Sequence, residues 1–373
     1  MRNKRVVSLL ASGTEIVCGL GAGELLVGRS HECDNPAWVT NLPACTHPAF
    51  VVSVSSGDID AEVRRRLKAA EPLYYINTDL INMLKPDLLI TQAHCDVCAV
   101  TPNDLKRDGC VVTDQMIALQ AGTVSGIYDD VLAVGRALYL VQASEALVAT
   151  MKARIDAVWN LVRHKPTPKV VVLEWTDPLF AAGNWGPELV EAANGELVLG
   201  DKSGFSKPVS WQDVRDADPE FLIIAPCGFG LERTTREVSF LEALPGWDEL
   251  RAVSEGKVAL ADGNKYFNRS GPTIADTVEI LAEILHGQDI KRRGEAWQSY
   301  SELRATAIIQ RVHADACAKH LDSYSDPATG YEVFTADFLI HRGVCCGKGC
   351  RHCPYQSDAK IGSPTGRMIP TSL

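Results

Sequence analysis

Two stretches of this chain carry side chains suited to soft-ligand chemistry. In the first, His94, Cys95 and Cys98 fall within Thr91–Ala99. They directly follow Pro86-Asp-Leu-Leu-Ile90, a short apolar run that reads as a buried strand. An imidazole and two thiols therefore stand at the carboxyl end of a strand, where open α/β sheets hold their ligands. The second stretch is Gly343-Val-Cys345-Cys346-Gly-Lys-Gly-Cys350-Arg-His352-Cys353-Pro354-Tyr355. Its spacing, Cys-Cys-x3-Cys-x2-Cys with glycines between, lets a segment too short for a core fold around one metal. Zinc is the first candidate for Cys345, Cys346, Cys350 and Cys353. An iron–sulfur cluster is the alternative, because Cys-Pro also closes ferredoxin loops. The metal-free reading is a flexible tail with reactive thiols.

The elements that position these groups follow from patterning. Arg5–Leu10 reads as a strand, and Ser12-x-x-Glu15 as a capping box opening a helix that ends around Gly19–Gly23. The glycines there follow a helix and not a strand, so they do not form a dinucleotide loop. Leu25–Gly28 is a strand releasing Arg29-Ser-His31-Glu32-Cys33-Asp34. Helices are expected at Asp58–Ala70 and Asp79–Leu84, and strands at Leu88–Thr91 and Cys110–Thr113. From about Ser125 to Arg163 the chain reads as helix, with a break near Gln142–Ser144 and a long bridging helix over Ala143–Arg163. Lys165-Pro166-Thr167-Pro168 stops it.

Beyond that stop the sequence begins again. Lys169-Val-Val-Val-Leu173 echoes Arg5-Val-Val-Ser-Leu9, and Pro187-Glu-Leu-Val190 echoes Thr14-Glu-Ile-Val17. Gly195-Glu-Leu-Val-Leu-Gly200 matches Gly23-Glu-Leu-Leu-Val-Gly28, and Pro219-Glu-Phe-Leu-Ile-Ile224 matches Pro86-Asp-Leu-Leu-Ile90. Four echoes in one order, with different loop lengths, imply a duplicated lobe. The expected fold is α/β: two Rossmann-like lobes bridged by one long helix, with a cysteine-rich extension. The boundaries are a first lobe at 1–141, the bridge at 142–165, a second lobe at 166–300, a helix and metal-binding tail at 301–355, and a disordered end at 356–373. Within the tail, Glu302–His320 reads as a helix and Tyr331–Phe334 as a strand.

Arg5-Val-Val-Ser-Leu-Leu-Ala-Ser-Gly-Thr-Glu-Ile-Val, followed by Leu-Val-Gly-Arg-Ser-His-Glu-Cys-Asp, resembles the cobalamin- and iron-chelate-binding proteins of ABC importers. The match continues through Leu173-Glu-Trp-Thr-Asp-Pro, Ala225-Pro-Cys-Gly-Phe and Asp262-Gly-Asn-Lys-Tyr-Phe-Asn-Arg269 to about His286. It is most similar to a branch called cobalamin-binding proteins, which carries the His-Glu-Cys-Asp and Cys-Asp-Val-Cys loops. The resemblance implies two lobes with little hinge motion, around cobalamin, a related corrinoid or a similar metal chelate. The tail resembles a small uncharacterised domain with the string Cys-Cys-Gly-x-Gly-Cys-Arg-His-Cys-Pro-Tyr.

The candidate ligand-binding residues lie on strand-end loops of both lobes. The first lobe offers Ser12, His31, Glu32, Cys33, Asp34, Gln92, His94, Cys95 and Cys98. The second offers Glu174, Trp175, Asp177, Asn184, Trp185, Cys227, Phe229, Arg233, Asn264, Tyr266 and Arg269. Thiolate and imidazole suit zinc, iron or cobalt, and Asp, Asn and Arg suit a ligand's polar groups. The aromatics suit a flat macrocycle. Cys18, Cys45 and Cys110 read as buried filler. Net charge of -10 argues against nucleic acid or anionic membrane as partner. No apolar run has transmembrane length. The N-terminus reads as a strand and not a signal peptide, and twelve cysteines suggest a reducing compartment. A cytoplasmic, monomeric binder is expected, with organelle import left open and docking onto a permease not expected. The alternative is a metal- or cysteine-dependent enzyme acting in the same cleft, although no nucleophile–base motif is visible.

Overall fold

The computed structural model describes residues 4–95, 97, 99–110, 115–202 and 204–355. Residues 1–299 form one compact unit and residues from Tyr300 onward a second. The chain opens with β1 (Val6–Ser8), α1 (Ala11–Gly19), β2 (Leu26–Arg29), β3 (Thr46–Pro48), α2 (Ser56–Ala69) and β4 (Tyr74–Ile76). There follow α3 (Thr78–Leu84), β5 (Leu88–Gln92), α4 (Pro102–Arg107), β6 (Met116–Leu119) and α5 (Val124–Ala137). Strands β2-β1-β5-β6 make a parallel sheet in that order, while β3 and β4 form an antiparallel pair of their own. Every residue of β1 and β5 is buried, as expected of parallel strands covered on both faces.

Helix α6 (Val141–Val162) then leads to the second lobe. That lobe contains β7 (Lys169–Thr176), β8 (Leu179–Ala181), α7 (Gly186–Ala192), β9 (Glu196–Leu199), β10 (Lys207–Pro208) and α8 (Trp211–Ala217). It continues through β11 (Phe221–Ile224), α9 (Leu231–Glu242), α10 (Arg251–Ser254), β12 (Val258–Ala261), α11 (Ile274–His286) and β13 (Trp297–Ser299). Its parallel strands run β9-β7-β11-β12, the same order as β2-β1-β5-β6. The lobe adds antiparallel β8, β10 and β13 at its margins. The two sheets are separate, so the duplicated α/β architecture read from the echoes is the architecture of the chain.

Helix α6 packs on α5 of the first lobe and on α7 and α11 of the second. Val148, Met151, Val158 and Val162 are the apolar residues it buries. Its turn from α5 is tight: a Cβ on Gly135 would stand 2.3 Å from Ser144 Cβ. The second lobe takes up its loose carbonyls, with Asn194 Nδ2 donating to Val162 O and Lys165 O at 3.0 Å each. Arg154 Nη2 pairs with Asp276 and Glu279 of α11 at 3.0 and 2.7 Å.

Across the lobes runs one ionic group, with Arg269 and Glu15 buried and Asp34 at its exposed rim. Arg269 Nη1 meets Glu15 Oε1 at 2.7 Å and Arg269 Nη2 meets Asp34 Oδ1 at 2.7 Å. Asn264 Nδ2 donates to Asp34 at 2.8 Å, while Asn35 Nδ2 and Thr273 Oγ1 donate to Glu15 at 3.0 and 3.2 Å. Burial alone would depress Arg269, but the charges of Glu15 and Asp34 outweigh it and keep the guanidinium charged.

Several expectations need correction. Ser12 and Glu15 form no capping box: Leu10 is the N-cap of α1, no side chain caps it, and Glu15 turns to Arg269. The salt bridge available only after the lobes meet outcompetes a local cap. The strand expected at Cys110–Thr113 lies largely outside the described residues; Cys110 itself belongs to no strand, and β6 follows at Met116–Leu119. The interhelical break falls at Leu138–Leu140, before Gln142.

The second unit consists of α12 (Tyr300–Ala318), β14 (Ser323–Ser325), β15 (Glu332–Phe334) and α13 (Ala336–His341), followed by the cysteine-bearing loop. The expected disorder of 356–373 concerns residues outside the described ones.

Replacing Arg269 with methionine strands the buried carboxylate of Glu15 and is expected to lower the stability of the free protein by about 3–5 kcal/mol. The double variant Glu15→Gln/Arg269→Met should lose clearly less. Urea unfolding of wild type, both single variants and the double checks the coupling; additive losses would show that the pair does not act as a unit.

Candidate functional site

The carboxyl ends of both parallel sheets face each other, with contacts from His94 to Asn184 and from Arg269 to Asp34; the space they border is the candidate cleft. On the first lobe, the turn after β2 presents His31 and Glu32. His31 Nδ1 lies 2.8 Å from Thr46 Oγ1, and the Thr46 hydroxyl donates onward to Ser30 Oγ at 3.1 Å. Nδ1 therefore carries the proton, and Nε2 keeps a lone pair for a ligand. Burial, with the nearby charges of His47 and Arg29, lowers the His31 pKa to about 4, so the ring is neutral at pH 7. Glu32 Oε1 sits 3.9 Å from Nε2. Burial raises the Glu32 pKa to about 7.

The loop after β5 is braced by its own glutamine. Gln92 Oε1 accepts from Cys95 N at 2.9 Å, and Gln92 Nε2 donates to Ala99 O at 3.1 Å and to Cys95 O. Cys95 Sγ accepts from Val97 N at 3.4 Å. His94 reaches across to the second lobe, its Nε2 3.0 Å from Asn184 Oδ1 and its ring 4.9 Å from that of Phe205. Cys98 lies outside the described residues.

On the second lobe, Glu174 stands near the end of β7, bonded by Ser206 Oγ, and burial raises its pKa to about 7. Cys227 follows β11, its N–H donating to Glu174 O at 2.9 Å. Solvent reaches Cys227, yet enclosing protein and the negative fields of Glu32, Glu174 and Cys95 push its thiol up to about 12. Trp175 and Phe229 stack at a tilt, 5.1 Å between centroids, and the Arg233 guanidinium covers Phe229 at 3.6 Å. Asp177 is exposed and lies against the start of α2, where a Cβ on Gly57 would stand 2.3 Å from Asp177 Oδ2.

The remaining candidates serve structure. Cys33 does not face the cleft: it is 1% exposed, packed in the core, with the Thr14 hydroxyl donating to its sulfur at 3.0 Å. Tyr266 is equally buried, its hydroxyl 3.2 Å from Glu295 Oε1. Trp185 is buried and donates to Phe267 O at 3.2 Å. Ser12 is buried 3.4 Å from Ser270 Oγ. Asp34, Asn264 and Arg269 are consumed by the bridge described above. Cys33 sits next to Glu32, and residue type alone does not tell which of two such neighbours turns inward.

Residue types also concealed a polar seam between the lobes. Ser56 Oγ donates to Glu237 Oε2 at 2.8 Å, and Thr176 Oγ1 donates to Ser56 Oγ at 2.9 Å. Arg233 donates to Val52 O and Val54 O at 2.7 and 2.6 Å. The Ser55-Ser56-Gly57-Asp58 run signals only the helix start, and nothing in sequence pairs it with Glu237. In the second unit, the cysteines stand as two pairs, Cys345 with Cys353 and Cys346 with Cys350.

The cleft thus gathers acidic and thiol groups while its buried cation is already paired. Because burial raises Glu32, that group favours the folded state most below pH 4.5, and its contribution fades as pH rises through about 7. His31 acts oppositely, losing stability as pH falls from about 6.5 toward 4. Glu32→Gln is expected to stabilise the free protein at pH 8 by about 1 kcal/mol, after allowance for its solvent contact, with no gain at pH 5. Thermal melts at the two pH values check this; an equal shift at both would exclude titration as the cause.

A model described as periplasmic binding protein matches residues 6–264, and a family of unknown function matches residues 312–359. The uncharacterised ABC transporter substrate-binding lipoprotein YvrC of Bacillus subtilis is 24% identical over 296 residues, covering 77% of this chain and 82% of that protein. Among solved structures, a periplasmic haem-binding protein from Pseudomonas aeruginosa aligns with a TM-score of 0.59 at 20% identity, over 76% of this chain and 93% of its own. The periplasmic vitamin B12-binding protein BtuF of Vibrio cholerae aligns with a TM-score of 0.55 at 19% identity, over 75% and 96%. These relatives overturn the cytoplasmic placement expected from the N-terminal residues and the thiol content, because their names point outside the cytoplasm. Among the described residues, no helix is long and apolar enough to cross a membrane. With the matched model spanning well over half of its residues, the chain belongs to the periplasmic binding protein family.

Proposed function

We propose that this protein captures a metal-bearing chelate, of the cobalamin, haem or iron-chelate kind, in the cleft between its lobes. Its place of action on this reading is outside the cytoplasm, where its relatives work by name. The observation that carries the reading is the pairing at the cleft: His31, its Nδ1 engaged by Thr46, and Glu32 belong to one lobe. Cys227 and the Trp175–Phe229 pair belong to the other. An imidazole lone pair or a thiolate ligates the metal axially, and the aromatic pair covers the flat ring. Entry of so large a ligand requires the rim bonds of Arg233 to Val52 and Val54, and of His94 to Asn184, to part. The Glu15–Arg269–Asp34 bridge stays closed beneath them and limits the opening.

Cobalamin is the first ligand to test, with haemin beside it. Titration of either is expected to quench tryptophan fluorescence and shift the visible bands of the chelate. His31→Ala and Trp175→Ala should each weaken binding by about tenfold, the equivalent of ~1.4 kcal/mol. Binding through His31 should fade below about pH 4–5 as its ring takes a proton. If both chelates leave the signals flat while a bare metal ion changes them, the cleft binds the ion alone and the chelate reading fails.

A further inference from the structure

The matched family of the second unit carries no assigned function, and the cleft chemistry makes no use of it. We propose that Cys345, Cys346, Cys350 and Cys353 hold one zinc ion, which completes the fold of this unit. Cys345 Sγ and Cys353 Sγ lie 3.9 Å apart, and Cys346 Sγ and Cys350 Sγ 3.6 Å apart. A tetrahedral zinc with Zn–S bonds of about 2.3 Å has S···S edges of about 3.8 Å. Each pair by itself is therefore spaced like one edge of that tetrahedron. Among the described residues no three such side chains already meet at one point, so the ion's work is to draw the two pairs together.

The backbone of the loop is shaped for this. Gly343, Gly347 and Gly349 all have φ between 66 and 78°, a region where a side chain is strained. Gly347 N donates to Cys345 Sγ at 3.5 Å, the kind of N–H contact that offsets thiolate charge. No acidic side chain occurs from Phe338 to Ser357, while Arg342, Lys348 and Arg351 do. Four thiolates and one Zn²⁺ leave a net charge of −2, which Arg342 and Lys348 offset, Arg351 being paired with Asp326.

The residues between the cysteines are anchored outward. Arg351 Nη2 pairs with buried Asp326 at 2.8 Å, and Asp326 also accepts from Thr329 Oγ1 at 2.7 Å and Ala328 N at 3.0 Å. His352 stacks on His313 with centroids 3.6 Å apart, and its Nε2 lies 2.7 Å from the Tyr324 hydroxyl. The Tyr355 hydroxyl donates to Leu339 O at 3.2 Å. These contacts fix the loop from its outer side and leave the sulfurs to one another. The unit is also short of apolar filling; Ala316, Tyr324, Ala336 and Leu339 are among its few buried apolar residues, and so small a core needs a staple.

On binding, each thiol gives its proton to solvent as its Zn–S bond forms. The test uses the full chain, reduced and freed of metal, then titrated with Zn²⁺ or with Co²⁺ as a spectroscopic stand-in. One equivalent of zinc per chain is expected, and Co²⁺ should give the intense visible bands of a tetrahedral thiolate site. Cys350→Ser should abolish the bands and the bound equivalent, whereas Cys227→Ala should leave both unchanged. Should Cys350→Ser fail to fold, the wild-type cobalt spectrum decides alone. A weak octahedral cobalt spectrum, two disulfides that persist in the native protein, or iron with acid-labile sulfide would each overturn the proposal. None of these outcomes bears on chelate binding in the cleft, which involves other residues.

Discussion

Arg269 holds the molecule in the arrangement on which the cleft depends. Its guanidinium, 5% exposed, spans from Glu15 at the start of the first lobe to Asp34 after β2. Three further side chains, Asn35, Asn264 and Thr273, complete the set. Such a buried group adds little net stability against an apolar alternative, because desolvation offsets most of the attraction. Its contribution is specificity. Only one approach of the two lobes satisfies both carboxylates, and that approach turns the carboxyl ends of both sheets toward each other. Helix α6 supplies the complementary restraint on the far side, pinned to α11 through Arg154 and to the loop after α7 through Asn194.

The same arrangement sets the electrostatics of the cleft. Glu32, Glu174 and Cys227 are each held toward the neutral form chiefly by burial; the charge of Arg269 offsets part of this at Glu32, and the neighbouring Glu32 and Glu174 add to it at Cys227. On the proposed function, such surroundings suit a ligand that brings positive charge or a Lewis-acidic centre. Neutral His31 fits the same picture, since its network leaves one nitrogen free to donate an electron pair.

The second unit solves a different problem. It cannot bury enough apolar surface to stabilise itself strongly, and it uses polar anchors instead: Asp326 with Arg351, and Tyr324 and His313 with His352. Those anchors dictate where the intervening cysteines point. The proposed metal site there rests on local spacing, whereas His31 and Cys227 come from loops nearly two hundred residues apart.

That contrast explains how much could be read in advance. The strand echoes revealed the duplicated lobes, because a parallel strand covered on both faces must be an apolar run wherever it occurs. The proline stop after α6 and the cysteine spacing of the tail were equally local, and local signals survive in a linear string. Strand-end loops were legible as a class, and the structure places His31, Glu32, Cys95 and Cys227 on such loops, with Glu174 near the end of β7. What the string left open was direction. Cys33 and Tyr266 turned into the core, Glu15 abandoned a cap for Arg269, and Ser56 found Glu237 across the cleft. In each case two outcomes were open to the residue locally, and a partner distant in sequence decided between them. Sequence by itself determined the elements, their order and their repetition. Only the tertiary structure decided which polar side chains met each other, because burial makes an unmatched charge too costly to leave unpaired and the matching partner exists only once the lobes have closed.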